Sequence, residues 1–79
     1  MTYRFTEYFK NEVLRKRPYI LKKWCIAVVQ NPMKVELQEN NRYRFWGLVK
    51  GHEGKFLRVI TLEDQTTIHN AFFDRRFKI

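Results

Sequence analysis

Basic side chains recur at short intervals along three strand-like stretches of the chain. The stretches are RYRFWGLVK from Arg42, KFLRVITL from Lys55 and TTIHNAFFDRR from Thr66. The planar guanidinium group matches the geometry of phosphate oxygens, so arginine repeated along a small basic domain favours a phosphate-bearing partner.

The same residue types could support cleavage of RNA. When a 2′-hydroxyl attacks the adjacent phosphorus, the reaction needs a proton acceptor, cations that stabilise the transition state and a proton donor to the leaving 5′-oxygen. Arginines supply the cations, and His69, with an ordinary pKa of about 6.5, could fill one of the other two roles. The alternative for His69 is a hydrogen-bonding role beside Asn70.

Strand alternation decides which of these side chains share a face. Tyr43, Phe45, Leu57 and Val59 would form one face, covered by helices. On the last strand, Ile68, Asn70 and Phe72 would oppose Thr67, His69, Ala71 and Phe73. The opposite face would gather cations and aromatic rings into a groove, in which the rings stack on unpaired bases at ~1–3 kcal/mol each. Its expected members are Arg44, Trp46 and Arg58, with His69 as a further candidate and Arg75 and Arg76 just past the last strand.

Simpler interpretations of these residues stay open at the sequence level. Arg44 and Arg58 could be ordinary charges on a solvated face, and Trp46 could belong to the core if the two faces are exchanged. The Asp74-Arg75-Arg76 segment could be a strand-end turn closed by a local ion pair.

Two helices are predicted before the sheet. Thr6 can cap a first helix that runs to about Lys16, and Pro18 ends it. The second helix carries an apolar stripe at helical spacing and stops at Asn31-Pro32, because the residue before proline is disfavoured in the α conformation. The stripe comprises Leu21, Trp24, Cys25, Val28 and Val29.

From Lys34 the hydrophobic period changes to two, and turn residues at 39–41, 51–54 and 63–65 separate successive strands. Short connections of this kind join antiparallel neighbours. The sequence therefore predicts an α+β fold, with two N-terminal helices packed on one face of a four-stranded antiparallel meander. A chain of 79 residues forms a single domain over residues 1–79.

Composition narrows the class of partner. The net charge of +8 and a pI near 10.0 favour a polyanion, with nucleic acid ahead of anionic membrane or an acidic protein. Cys25 is the only cysteine, so no disulfide can form within the chain, which favours a cytoplasmic protein. Between Trp24 and Ile26, Cys25 is expected to be a small buried hydrophobe. The histidine and cysteine spacing suits no metal, and no cofactor is expected. Serine and a glycine-rich phosphate loop are absent from the sequence, which argues against a serine hydrolase and against nucleotide binding.

The order of these motifs resembles that of a known family. LRKRPYILKKWCIAVVQNP, then RYRFWGLVKGHEGKFLRVITLED and finally AFFDRRFK, are similar to the BrnT-type toxins of the wider RelE/ParE-like group. Asn31-Pro32, Arg44, Gly47, the stretch from Gly54 to Val59 and Asp74-Arg75-Arg76 occupy the places of the family pattern. The resemblance covers the chain from about Phe5 to Lys78.

The resemblance implies an RNA endonuclease toxin, acting on free or ribosome-bound mRNA and held inactive by a cognate antitoxin protein. It gives Arg44 and Arg58 phosphate and transition-state roles, with Arg75 or Arg76 as a further cation. Together with His69, the catalytic candidates are then Arg44, Arg58 and Arg75. The RNA-binding candidates around them are Arg42, Trp46, Lys50, Lys55, Arg76 and Lys78.

Two other classes of function remain open: a non-catalytic nucleic-acid-binding module, and an interaction domain whose basic face docks an acidic protein. No membrane association is expected. An edge strand from Lys34 to Gln38 could pair with another copy of the chain, although Lys34 and Glu36 are also common edge-protecting charges.

Overall fold

The computed structural model describes residues 2–49 and 54–77. The RNA-binding candidates Lys50 and Lys78 lie outside these residues, as do positions 51–53 of the second predicted turn. Within the described ranges, no helix is both long and apolar enough to cross a membrane.

The N-terminal helical segment begins where Thr6 was expected to cap it. The Thr6 hydroxyl accepts the backbone N–H of Phe9 at 3.0 Å. A π-helical stretch, Phe9–Val13, is followed by one turn of α-helix, α1 (Leu14–Lys16). Phe9 and Val13 are buried, which anchors the segment to the core. The helix is confirmed, while its π-type hydrogen bonding was not predicted.

The second helix, α2, spans Lys22–Gln30. Cys25, Val28 and Val29 are buried along one side, as the helical spacing predicted, but Leu21 is exposed. The helix ends at Asn31, whose φ of −141° leaves the helical region just before Pro32.

Over the described residues the sheet has five strands, where four were predicted. β2 (Lys34–Gln38), β3 (Arg42–Leu48), β4 (Phe56–Thr61) and β5 (Thr67–Phe73) form the predicted antiparallel meander. β1 (Arg4–Phe5) adds to the outer side of β5 in parallel, so the sheet is mixed, with the order β1-β5-β4-β3-β2. The four-strand prediction missed β1 because two residues are too short to show a period.

The face assignment of β3 and β4 is correct. Phe45, Leu57 and Val59 are buried in the core beneath the helices. Gly47 allows close packing there, since a Cβ atom on it would lie 3.0 Å from a Val28 methyl carbon. Trp46 lies on the opposite face, so the exchange of the two faces considered above is wrong.

A bulge changes the face assignment of β5. Ile60 pairs with Asn70, but Thr61 pairs with Ile68, which leaves His69 as the extra residue. Strict alternation placed Ile68 on the same face as Asn70 and Phe72. That prediction is wrong, because the bulge returns Ile68 to the core, where it is fully buried.

Candidate nucleic-acid interface

Four side chains lie in register straight across the face of the sheet that the helices leave uncovered. Lys34 of β2 pairs with Trp46 of β3, Trp46 with Arg58 of β4, and Arg58 with Phe72 of β5. Arg17, which follows α1, continues the line beyond Phe72. We call these five residues the cation–ring row.

Cations and rings alternate along the cation–ring row. Lys34 Nζ lies 5.8 Å from the centre of the Trp46 ring, and the Arg58 guanidinium carbon lies 5.3 Å from the same ring. Arg58 is also 5.2 Å from the Phe72 ring, which Arg17 approaches at 5.7 Å. Each of these distances is within the ~6 Å range of cation–π attraction. Each ring therefore has two cations of the row within this range.

Trp46 is the most deeply buried ring of the row, and its contacts fix its position. Its side chain is only 5% exposed, and its indole N–H donates to Asp74 Oδ2 at 3.0 Å. The Phe77 ring stacks on it, with centroids 5.1 Å apart and planes 13° from parallel. Its faces are thus occupied by Phe77 and by cations, so this geometry leaves little room for the base-stacking role expected of Trp46.

Two carboxylates partly neutralise the face. Asp74 Oδ2 is 3.6 Å from Arg58 Nη1, while Glu36 is 3.1 Å from both Arg44 Nε and Lys34 Nζ. The hydrogen bond from Trp46 lowers the pKa of Asp74, with smaller contributions from backbone N–H groups and Arg58. Lys34 and Arg44 lower the pKa of Glu36. Both acids are therefore ionised at neutral pH.

Arg44 lies next to the cation–ring row, two residues before Trp46 on β3 and on the same face of the sheet. It pairs across the strands with Glu36 and Ile60, and its guanidinium carbon is 5.6 Å from the Trp46 ring. The structure thus brings together three of the predicted site residues, Arg44, Trp46 and Arg58.

His69 lies apart from that group. Its Nδ1 is 3.1 Å from the Thr6 hydroxyl oxygen, and its ring stacks on Tyr8 at 4.9 Å. Burial lowers the pKa of His69, and the positive charge of Arg42 lowers it further. His69 lies three positions before Phe72 in β5, about 10 Å along an extended strand. His69 and Arg42 therefore form a second cluster, distinct from the Arg58 region.

Arg75, one of the two predicted cations just past β5, belongs to a third region. A surface cleft of about 660 Å³ is lined by three cationic and three aromatic side chains. They are Arg17, Tyr19, Lys55, Phe72, Phe73 and Arg75, and we call this site the basic cleft. Arg76 lies outside its lining and is exposed.

The Asp74-Arg75-Arg76 segment is a turn, as one interpretation of the sequence held. Asp74 Oδ1 accepts the backbone N–H of Arg76 at 3.0 Å, so a hydrogen bond to the main chain closes the turn. The same carboxylate binds Trp46 and Arg58, which ties the turn to the sheet face. Arg75, the next residue along the chain, lines the basic cleft.

Arg17 and Tyr19 were not among the predicted site residues. Their one signal is their place around Pro18, where a basic helix end meets an aromatic residue. Their nearness to β5 arises only when the helix docks on the sheet, where the Tyr19 ring stacks on Phe73 at 6.2 Å.

Cys25 is fully buried, and burial raises the pKa of its thiol to about 12. This agrees with the prediction of a small buried hydrophobe. Among the described residues, no group of three or more His, Cys, Asp or Glu could hold a metal ion.

Comparison of the chain with protein-family models, curated proteins and solved structures found no match.

Proposed function

We propose that this protein binds single-stranded RNA along the cation–ring row. The observation that supports this function best is the in-register alternation of Lys34, Trp46, Arg58 and Phe72, continued by Arg17. Lys34 and Phe72 are separated by three interstrand steps of ~4.8 Å, or ~14 Å. That length allows contact with more than one phosphate along a strand.

The rings give the row its binding geometry. An exposed arginine or lysine loses side-chain freedom when it binds phosphate, which costs free energy. Contacts with Trp46 and Phe72 restrict Arg58 before any ligand arrives, so less freedom is lost on binding. Asp74 and Glu36 weaken the positive field, so affinity should be moderate and should fall steeply with salt.

We expect the RNA bases to stack on aromatic rings that remain accessible to solvent. The Tyr8 side chain is 45% exposed and that of Tyr19 is 52% exposed. They lie at the His69 cluster and at the basic cleft respectively, so bases could stack on either side of a backbone bound along the row.

Binding can be tested with a fluorescently labelled single-stranded RNA over a series of salt concentrations. The logarithm of the affinity should fall linearly with the logarithm of salt, with a slope of about −0.7 per phosphate contacted. Arg58→Ala should weaken binding and make the slope shallower by about 0.7. Lys23→Ala, which removes an equal charge from an exposed position of α2, is the matched control.

The two variants separate binding by the row from general attraction to a basic protein. Equal losses for Arg58→Ala and Lys23→Ala would show that net charge alone drives the interaction. Absence of salt-dependent RNA binding in the unmodified, folded protein would exclude this function.

A second candidate function is RNA cleavage by a BrnT-like toxin under the control of an antitoxin. The observation that favours it is the His69 cluster. The lowered pKa of His69 keeps its imidazole neutral at neutral pH, the form that accepts a proton. If Nδ1–H donates to the Thr6 hydroxyl oxygen, Nε2 is left to accept the proton of a 2′-hydroxyl. Arg42 could then stabilise the charge that develops on the phosphate.

Cleavage predicts defined products from end-labelled RNA. Attack by the 2′-hydroxyl leaves a 2′,3′-cyclic phosphate on one fragment and a 5′-hydroxyl on the other. His69→Gln should abolish cleavage while RNA binding persists, and Lys23→Ala should retain both. Intact RNA after long incubation with protein shown to bind it would rule out cleavage and leave binding alone.

Toxin action adds a prediction in cells. Expression of the chain alone should arrest growth, Arg58→Ala should relieve the arrest, and a small protein encoded by a neighbouring reading frame should neutralise it. Normal growth with folded protein present would count against a toxin.

A further inference from the structure

The basic cleft lies at one end of the cation–ring row. Phe72 belongs to both, since Arg58 approaches its ring on the row and Phe72 also lines the cleft. Arg17 likewise closes the row and lines the cleft. An RNA strand bound along the row would therefore lead into the cleft.

The charge of the cleft suits an anion with more than one negative charge. Arg17, Lys55 and Arg75 line it, and none of its described lining residues is acidic. A phosphodiester carries one negative charge, whereas a terminal phosphate carries about −1.5 to −2 at neutral pH. Three cations around one cleft match the terminal phosphate better.

The aromatic wall offers a surface for one base. Tyr19 is half exposed and is supported from behind by Phe73, with the ring planes 22° from parallel. The volume of about 660 Å³ falls in the ~300–1,000 Å³ range of small-molecule sites. Such a volume accommodates a single nucleotide.

We propose that the basic cleft binds the phosphorylated end of an RNA strand. The terminal phosphate would lie among Arg17, Lys55 and Arg75, and the terminal base would stack on Tyr19. This inference rests on the proposed function, because the rest of the strand is held by the cation–ring row.

The test compares one RNA sequence with three kinds of end: a 5′-phosphate, a 3′-phosphate, or hydroxyls at both ends. One of the phosphorylated RNAs should bind about tenfold more tightly than the hydroxyl form, the factor expected for one added charge-assisted hydrogen bond. Arg75→Ala should remove most of that preference and leave the affinity for the hydroxyl form nearly unchanged. Tyr19→Leu should weaken binding of the preferred end through lost stacking.

Arg15→Ala is the matched control, because Arg15 is an exposed arginine on α1 that pairs with Glu12. It removes the same charge and should preserve the preference for a phosphorylated end. Equal affinities of the unmodified protein for all three RNAs would overturn the cleft proposal while leaving RNA binding intact. No binding of any RNA would instead overturn the proposed function itself.

β2 lies at the edge of the sheet, with β3 as its neighbour. Its residues alternate so that Lys34 and Glu36 share one face, while Val35 and Leu37 share the other with the preceding Met33. All three apolar side chains are more than 40% exposed. The edge thus presents an apolar stripe on one side and a pair of opposite charges on the other.

This pattern is complementary to itself. In an antiparallel pair of two β2 strands centred on Val35, Lys34 of each copy faces Glu36 of the other, and Leu37 faces Met33. We infer that a second copy of this chain adds to the β2 edge and joins the two sheets. The cation–ring rows of both copies would then lie on one continuous face.

Charge reversal tests this pairing. Lys34→Glu and Glu36→Lys each place like charges opposite one another, so each variant alone should sediment as a monomer at concentrations where the unmodified protein is a dimer. A mixture of the two variants should dimerise again, since every opposing pair is then of opposite sign. A monomeric unmodified protein at several hundred micromolar, or a mixture that stays monomeric, would overturn the inference.

Discussion

Replacement of Asp74 by asparagine is the sharpest test of how the sheet face is held together. The carboxylate uses both oxygens: Oδ2 accepts the indole N–H of Trp46 at 3.0 Å, and Oδ1 accepts the backbone N–H of Arg76 at 3.0 Å. Asparagine has one acceptor oxygen, so one of these two N–H groups must lose its partner. Because the Trp46 side chain is buried, water cannot fully replace the lost bond.

The expected cost follows from the kinds of interaction lost. A hydrogen bond to a charged group is worth ~1.5–3 kcal/mol, and the nearby ion pair with Arg58 adds at most ~1 kcal/mol. Some solvent reaches the carboxylate, which reduces both values. We therefore expect Asp74→Asn to lower the free energy of unfolding by about 2 kcal/mol at pH 7.

The loss should depend on pH in a defined direction. The pKa of Asp74 is lower in the folded protein than the ~3.9 of an unfolded chain. The stabilisation by its charge is therefore complete above about pH 5 and is lost as the pH falls through the folded pKa. At low pH the protonated carboxyl resembles the amide, so the two proteins should converge in stability.

Urea denaturation of both proteins between pH 2.5 and 7 measures this difference, and all other carboxylates cancel in the comparison. Glu63→Gln, at an exposed turn, is the matched control and should change stability by less than ~0.5 kcal/mol throughout. A loss for Asp74→Asn below ~0.5 kcal/mol at pH 7, or a loss of the same size at low and neutral pH, would refute the reasoning.

Three further predictions concern the core and the His69 cluster. The Cys25 thiol, whose pKa burial raises to about 12, should react with a disulfide reagent at pH 8 only as fast as the protein unfolds; rapid reaction of the native protein would contradict its burial. Gly47→Ala should lower the free energy of unfolding by ~1–3 kcal/mol, because the new methyl group meets a Val28 methyl carbon at 3.0 Å. An unchanged midpoint of urea denaturation would show that Val28 moves aside freely. In an NMR titration His69 should have a pKa below 6.5, because burial and the positive charge of Arg42 both lower it, so its protonation destabilises the fold as the pH falls below that value. A measured pKa at or above 6.5 would contradict both causes.

Local sequence signals determined most of the secondary structure. Thr6 and Pro18 delimit the first helix, Asn31-Pro32 ends the second, and alternation with short turns gives the four-strand meander. These features depend on residues close together in the chain, which is why pattern and propensity sufficed. The assignment of Arg44, Trp46 and Arg58 to one face has the same origin, because each position on a strand fixes its side.

Contacts between distant segments decided the rest. β1 forms only because the chain passes beside β5, and two residues leave no period to detect. The bulge that singles out His69 depends on how β4 and β5 pair, so alternation within β5 alone misplaced Ile68.

The candidate site shows the same division. Its basic and aromatic composition can be read from the sequence. The stacking of Phe77 on the buried Trp46 and the ion pair between Asp74 and Arg58 depend on tertiary packing. Arg17 reaches Phe72 only when the first helix packs on the sheet. Residue types and strand alternation thus determine which charges share a face. Packing between segments far apart in the chain determines which charges are neutralised and which rings stay accessible.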